Sequence, residues 1–252
     1  MTTQLYLKDC YLKEFDAAVA AVNGNEVELD KTAFYPNAGG QPDDTGILTC
    51  GGKDYIVASV RKDKGRIIHH LDRPGLKEGD QVHGQVDWTR RYLHMRYHTG
   101  SHVLSGVICQ KAGAEITGNQ IDIDMTRIDF NLEDFDRAKV KEYEAEANRI
   151  LKEGHKVNIN FLPREEAARI PSVTKLAMGL PEAIREVRMV SVEGFEQEAC
   201  GGTHVANTSE VGEIEIVGTE NKGKKNRRIY FRLKGEGDEE QAEQPGDSPD
   251  EE

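Results

Sequence analysis

The stretch "RRYLHMRYHTGSHVL" (residues 90–104) sets His94, His98 and His102 four residues apart. On a helix such residues share a face, with Cβ atoms about 5–6 Å apart, so two imidazoles in this register can share one metal ion. An HxxxH pair is weak ground on its own, because histidines pack in cores and sit on surfaces at the same spacing. A second stretch changes the balance. "CGGTH" (200–204) offers the Cys200 thiolate and the His204 imidazole in a glycine-rich turn able to fold around an ion. Two histidines with a cysteine and a third histidine make a borderline-soft set suited to tetrahedral Zn2+. Four protein ligands describe a closed, structural site, and three with an open position describe a catalytic one. The helix reads His98-Thr99-Gly100-Ser101-His102, without the glutamate base of HExxH, which speaks against a metalloprotease.

The elements that must position these residues fall into two runs. Residues 1–88 are rich in glycine and in short strand-like segments ("NEVELD", "TGILTCGG", "DYIVASVRKDKGRIIHHLD", "DQVHGQVDW") separated by Gly, Pro and Asp turns, which predicts a small antiparallel β-barrel-like domain. From Arg90 the period changes. Leu93, Tyr97, Leu104, Val107 and Ile108 predict a helix running to about Lys111, with Gly113 to end it. The alternation in "QIDIDMTRIDF" predicts Ile121, Ile123, Met125, Ile128 and Phe130 as inward positions, and Asn131 with Asp134 predicts the start of a second helix reaching Gly154. "KVNINFL" and "REVRMVSVEGF" read as strands, "PREEAARI" as a short helix, and "GEIEIVG" with "RRIYFRL" as a closing hairpin. The fold class expected is α+β: a glycine-rich β-domain (1–88), an α+β domain carrying the zinc site (89–234), and a disordered acidic tail (235–252).

The net charge of −12 conceals a division. Residues 235–252 hold nine acids and no base, which leaves −3 for the rest, whereas 222–234 ("KGKKNRRIYFRLK") hold seven bases and no acid. The tail has almost nothing to bury, which is the basis for expecting disorder. The basic segment, with Lys222, Lys224, Lys225, Arg227 and Arg228 at or beside the hairpin turn, fits phosphate contact. No apolar run is long enough for a membrane span and the N-terminus lacks a basic, apolar leader, so no membrane association and a cytoplasmic location are expected. The four cysteines are widely spaced, with no CxxC, and read as reduced thiols.

"HTGSHVL", "CGGTHV" and "FYPNAGGQPDDTG" together closely resemble the alanyl-tRNA editing proteins of the AlaX type, of the medium-length class, which are related to the editing domain of alanyl-tRNA synthetase. The resemblance covers about residues 5–234 and includes "VDWTRR" and "LPREEA" in the same order. It implies that His98, His102, Cys200 and His204 are the metal ligands and leaves His94 outside the pattern, as a structural or surface histidine. It also implies that the region after 89 is an editing domain, and that Gly39, Gly40 and Gln41 form a glycine-rich motif associated with substrate choice. Thr117, Asn119 and Gln120, just after the HxxxH helix, and Thr203 beside His204 become candidates for the substrate pocket. The basic segment then becomes a tRNA contact. The implied activity is a trans-acting hydrolase, an aminoacyl-tRNA deacylase, that cleaves the aminoacyl ester of tRNA(Ala) mischarged with serine and, as a second target, glycine. A synthetase pocket for alanine separates such neighbours by only about 1–3 kcal/mol, so a second, hydrolytic site is needed. Zinc is expected to orient substrate and water, with one ligand weakly held. Two other readings stand beside this one: a non-catalytic, zinc-stabilised RNA-binding module, and a zinc hydrolase of small esters. The oligomeric state is unknown from the sequence.

Overall fold

The computed structural model describes residues 2–132, 137–170, 185–223 and 226–235. The expected Lys224, Lys225 and acidic-tail features lie outside the described residues, apart from Gly235. In chain order, β1 (Thr3–Gln4) leads to β2 (Glu14–Asn23), β3 (Glu26–Leu29) and β4 (Lys31–Thr32), which pairs in parallel with β1. Then come β5 (Gly46–Cys50), β6 (Lys53–Asp63), β7 (Arg66–Leu71) and β8 (Gln81–Val86). Strands β2-β3-β7-β6-β5-β8 close into an antiparallel barrel. Alternation along β2, β6 and β8 sends Phe15, Ala17, Val19, Tyr55, Val57, Val82 and Val86 inward, where they meet Phe34, Leu48 and Ile67. The β-barrel-like expectation therefore holds. One of its strands, alanine-rich β2, carries no strong strand propensity and is absent from the segments read from sequence.

After the barrel, α1 (Trp88–Ala112) begins where the Asp87 side chain accepts the Arg90 N–H at 3.2 Å, and it ends at Gly113, whose φ of 64° makes a left-handed cap. Its middle is covered on nearly every side, from His94 to Ile108, because other elements pack around it. The elements that follow α1 are β9 (Ile116–Ile121), β10 (Thr126–Phe130), α2 (Arg137–Glu153), β11 (Val157–Pro163), α3 (Arg164–Ala167), β12 (Glu186–Val192), β13 (Glu196–Ala199), β14 (Ile214–Asn221) and β15 (Arg227–Leu233). The strands form two antiparallel sheets, β14-β15-β10-β9 and β11-β12-β13. A second core gathers Met95, Tyr97, Leu104 and Ile108 of α1 with Ile121, Ile128, Phe130, Ile150, Val192, Ile214 and Phe231. Cys10, from ahead of the barrel, packs in this second core. The architecture is mostly β with few helices, consistent with α+β. Among the described residues no helix is long and apolar enough to cross a membrane.

One local expectation needs correction. Ile123 and Met125 are 42% and 39% exposed, because Asp122 N–H donates to the Met125 carbonyl and turns the chain, which interrupts the strand alternation there. The helix start expected from Asn131 with Asp134 falls on residues 133–136, outside the described residues; the Asn131 side chain accepts the Glu115 N–H and ties together the outer ends of β9 and β10.

The barrel and α1 are joined by a buried ion pair. Arg91 and Asp44 are both fully buried; Arg91 Nε lies 3.0 and 3.1 Å from the two Asp44 oxygens, and the guanidinium also donates to the Cys10 and Ala33 carbonyls. Burial pushes the Asp44 carboxyl up and the Arg91 charge pulls it back. Arg91→Met should lower unfolding stability by about 3–5 kcal/mol in urea titrations, because it strands a buried carboxylate. Adding Asp44→Leu should recover most of the loss. A single variant as stable as wild type would show that the pair does not hold the two parts together.

Candidate metal centre and its surroundings

α1 presents His98 and His102 from adjacent turns, and the loop after β13 brings Cys200 and His204 against them. One donor atom from each of the four lies within 4.8 Å of all the others. Cys200 Sγ is 3.5 Å from His98 Nε2 and 3.3 Å from His204 Nε2. Tetrahedral zinc with the usual bond lengths would set S and N ligands about 3.5 Å apart. Burial pushes the Cys200 thiol up, but His98, His204 and the bonds from His102 and His204 outweigh it and hold the thiol well below its usual range. The thiolate is the metal-binding form. The donor set therefore fits zinc.

Each ring is held by its other nitrogen. Gln41 Oε1 accepts the Thr203 N–H at 3.0 Å, so it is an acceptor, and the His98 Nδ1 at 2.8 Å must carry the proton it receives. That leaves the His98 Nε2 lone pair aimed at the cluster. His102 Nδ1 donates to Glu196 Oε1 at 2.9 Å, and His204 Nδ1 lies 3.2 Å from Thr99 Oγ1, which also accepts the Val205 N–H. Burial opposes charge on His102, but the Glu196 carboxylate outweighs it and makes the ring more basic. Such outer partners fix the tautomer and strengthen the donor.

The glycine loop enters the same cluster from the barrel. Gln41 is fully buried and its Nε2 donates to Thr203 Oγ1 at 2.9 Å. Gly40, at φ 80°, lies against β9, where a Cβ would come within 2.3 Å of Asn119 Oδ1 and 2.8 Å of its carbonyl. Gly202 is equally constrained: a Cβ there would sit 2.0 Å from His98 Cε1. Gly39 takes a left-handed φ of 60° beside Tyr35.

The pocket candidates separate. Thr203 is buried in the Gln41 bond network. Asn119 lies beside Gly40, while strand alternation turns Gln120 to the opposite face and its amide donates to the Ile121 carbonyl. Thr117 donates to Asn226 Oδ1 at 2.9 Å and so ties β9 to the β14–β15 turn. In that turn Lys222 pairs with Glu220 at 2.7 Å, and Arg227 donates to the Gly223 and Asn226 carbonyls. Arg228 grips Asp129 with two bonds of 2.6 and 2.8 Å. His94 is fully buried and lies outside the four-donor group.

Sequence reasoning missed Thr99, Glu196 and Arg188. Thr99 lies within the HxxxH itself. Glu196 gives no local signal, since only the turn from β12 to β13 brings it to His102. Arg188 donates to the Leu7 and Cys200 carbonyls and lies 3.6 Å from Cys10 Sγ, fastening the ligand loop to the N-terminal segment.

Gln41→Met should weaken zinc binding about 10- to 100-fold in chelator competition, because it removes the acceptor that orients His98. Gly202→Ala should weaken it at least as much by displacing the ring. Wild-type affinity in both would mean that the loop does not control the centre.

Residues 187–230 match the family described as the threonyl and alanyl tRNA synthetase second additional domain, and residues 5–90 match class II (A) tRNA synthetases. The alanyl-tRNA editing protein AlaX-M of Methanosarcina mazei is 50% identical over 243 residues, covering 92% of this chain and 97% of that protein. That of Saccharolobus solfataricus is 44% identical, over 93% of this chain and all of that protein. The alanine–tRNA ligase of Pyrococcus abyssi is 41% identical over 234 residues, which are 91% of this chain and 26% of the ligase.

Proposed function

The chain belongs to the AlaX-M family of alanyl-tRNA editing proteins, and we propose that it is a trans-acting deacylase of mischarged tRNA(Ala), with seryl-tRNA(Ala) as first substrate and glycyl-tRNA(Ala) as second. The observation that carries this reading is the convergence of His98, His102, Cys200 and His204 in a chain that matches editing proteins over nearly their whole length. The reaction adds water across the acyl ester, giving the free amino acid and the 3′-terminal ribose hydroxyl of the tRNA.

His98, His102, Cys200 and His204 would hold zinc, which when bound can polarise an ester carbonyl, orient the amino acid or acidify a water. The other residues build the surroundings. Gln41, Glu196 and Thr99 set the direction of the three rings, so the donor atoms are in place before substrate arrives. Gly40 and Gly202 let backbone come within reach of Asn119 and His98, where a side chain would fill the space. The hairpin residues Lys222, Lys224, Lys225, Arg227 and Arg228 are the proposed tRNA contact. Its turn meets β9 at Thr117, about 7 Å along the strand from Asn119 and the glycine loop. Arg227 and Arg228 act there chiefly by shaping the turn, since their guanidiniums are engaged within the fold. A cytoplasmic setting follows from this substrate.

The closed four-donor set favours a second reading, a zinc-stabilised RNA-binding module without turnover. Hydrolysis of seryl-, glycyl- and alanyl-tRNA(Ala) by wild type and His98→Ala separates the two. Loss of a mischarged species with alanyl-tRNA(Ala) spared, abolished in a folded His98→Ala and by chelation, and restored by zinc, is the expected result. No turnover of any of the three by folded, zinc-loaded wild type would sink the deacylase reading.

A further inference from the structure

The loop that carries Gly39, Gly40 and Gln41 is held from two sides. On one side the Gly40 carbonyl accepts the Ile121 N–H of β9 at 2.7 Å. On the other, both of its ends are tied to β6: the Asn37 N–H donates to the Val60 carbonyl at 3.0 Å, and Asp43 Oδ2 accepts the Val60 N–H at 2.6 Å. Each neighbour leads to a basic turn. β9 is joined at Thr117 to the β14–β15 turn. β6 runs on past Val60 into the β6–β7 turn, "RKDKGR" (61–66), which holds four bases and one acid.

The charges of the β6–β7 turn divide into matched and unmatched. Arg61 pairs with Glu26 at 2.9 Å, and Arg66 pairs with Glu28 and with Asp63, each at 3.0 Å. Lys62 stands opposite Ile67, a barrel-core residue, so strand alternation turns it to the other face from Arg61 and Asp63. Lys62 and Lys64 are exposed, and among the described residues no carboxylate pairs with either. Lys64 and Gly65 make a two-residue connection with φ of 48° and 84°, the type I′ pattern whose favoured sequence is Asn-Gly. Among the described residues Lys64 alone sets a non-glycine side chain at positive φ. That backbone favours glycine and asparagine, so a lysine there weakens the turn. What it adds is a cation at the tip. Four residues of hairpin carry that cation about 13 Å beyond Val60.

We propose that the β6–β7 hairpin is an RNA-backbone contact on the barrel side of the site, with Lys62 and Lys64 engaging phosphates at the acceptor end of the tRNA. The inference rests on the deacylase reading, which brings the terminal ester to the four-donor cluster. An exposed lysine without a carboxylate gains by displacing counterions from phosphate, whereas an arginine already matched within the fold gains little. Lysine acts on phosphate as a point charge, and such contacts position the nucleic acid without reading its sequence. Because the glycine loop lies between β9 and β6, an RNA end at the loop has a basic turn on either side. A ligand without phosphates reaches the same loop with no use for the hairpin.

The test uses Lys64→Asn, Lys62→Gln and the double variant in the full chain. Binding of tRNA(Ala) is followed by fluorescence anisotropy across a salt series. Binding of the seryl amide of 3′-amino-3′-deoxyadenosine, which has no phosphate, is measured beside it, with melting temperature and zinc content. Lys64→Asn should melt no lower than wild type, since it gives the turn its favoured sequence, and should still bind tRNA more weakly. The double variant should lose about fivefold or more in tRNA affinity at moderate salt, and about two from the slope of log affinity against log salt, one for each lysine. Its affinity for the adenosine amide should stay within about twofold of wild type, with zinc content unchanged. Wild-type tRNA affinity and salt slope in the double variant would overturn the proposal. A parallel loss of amide binding or of zinc would overturn it too, by placing the effect in the glycine loop. Wild type that hydrolyses mischarged tRNA while the double variant binds tRNA unaltered sinks the hairpin contact alone. Wild type that binds tRNA but hydrolyses none of the charged species sinks the deacylase reading, and the double variant's affinity then decides the contact by itself. Wild type that does not bind tRNA(Ala) overturns both.

Discussion

The buried pair of Arg91 and Asp44 is the constraint on which the remaining arrangement depends. Asp44 lies three residues after Gln41, and Arg91 lies two helical turns before His98. Locking Arg91 to Asp44 therefore fixes both the height of the glycine loop along α1 and the rotation of α1 about its axis. Gln41 meets His98 at 2.8 Å as a consequence. A buried pair is tolerable only when the leftover donors and acceptors are also used. Here the Cys10 and Ala33 carbonyls take the spare guanidinium protons, and Asp44 accepts the Tyr35 N–H. Those three partners come from the N-terminal segment and the barrel, so the charge pair also holds the chain on either side of the loop.

From that register the four-donor cluster is assembled by division of labour. α1 contributes two rings and the hydroxyl of Thr99; the loop after β13 contributes a thiolate and a ring; β13 itself contributes Glu196; the barrel contributes Gln41. No pair of ligands is oriented by the same partner. Displacing β13 or the glycine loop by an ångström would misdirect a single lone pair while leaving the others aimed, which leaves a weakened site in place of an abolished one. The ligand loop has additional restraint from Arg188, whose bonds to the Leu7 and Cys200 carbonyls run back to the N-terminal segment.

What could be read from the sequence was whatever is local. The HxxxH register, the left-handed stop at Gly113 and the alternation in β6, β8 and β15 are short-range patterns, and each appears in the fold. The convergence of the four donors was legible for the same reason, because each half lies within five residues. β2 was illegible because "EFDAAVAAVN" has the composition of a helix and becomes a strand only by closing the barrel against β3 and β8. Ile123 and Met125 were misread because a turn bond at Asp122 outweighs hydrophobic alternation. Glu196 and Gln41 could not be seen as partners of His102 and His98, since nothing nearby in sequence distinguishes them from any surface glutamate or loop glutamine. Residues 39–41 stand out by resemblance and not by periodicity, and the contacts of Gln41 are made only by the folded chain.

The barrel therefore belongs to the site and is not an accessory to it. Its core is separate from the one around α1, so by packing alone the two could be expected to act as independent units. Polar bonding argues otherwise. Without the barrel, His98 and Thr203 lose their common acceptor, Gly202 loses the side chain packed over it, and Arg91 loses its carboxylate. The segment before the barrel is caught from both sides, with Cys10 in the second core and its carbonyl on Arg91. The match to the Pyrococcus abyssi ligase runs over 91% of this chain, which takes in both the barrel and the four-donor cluster. A shared site explains why such a match spans the two cores together: the four donors lie on α1 and the loop after β13, but the acceptor that orients His98 comes from the barrel side.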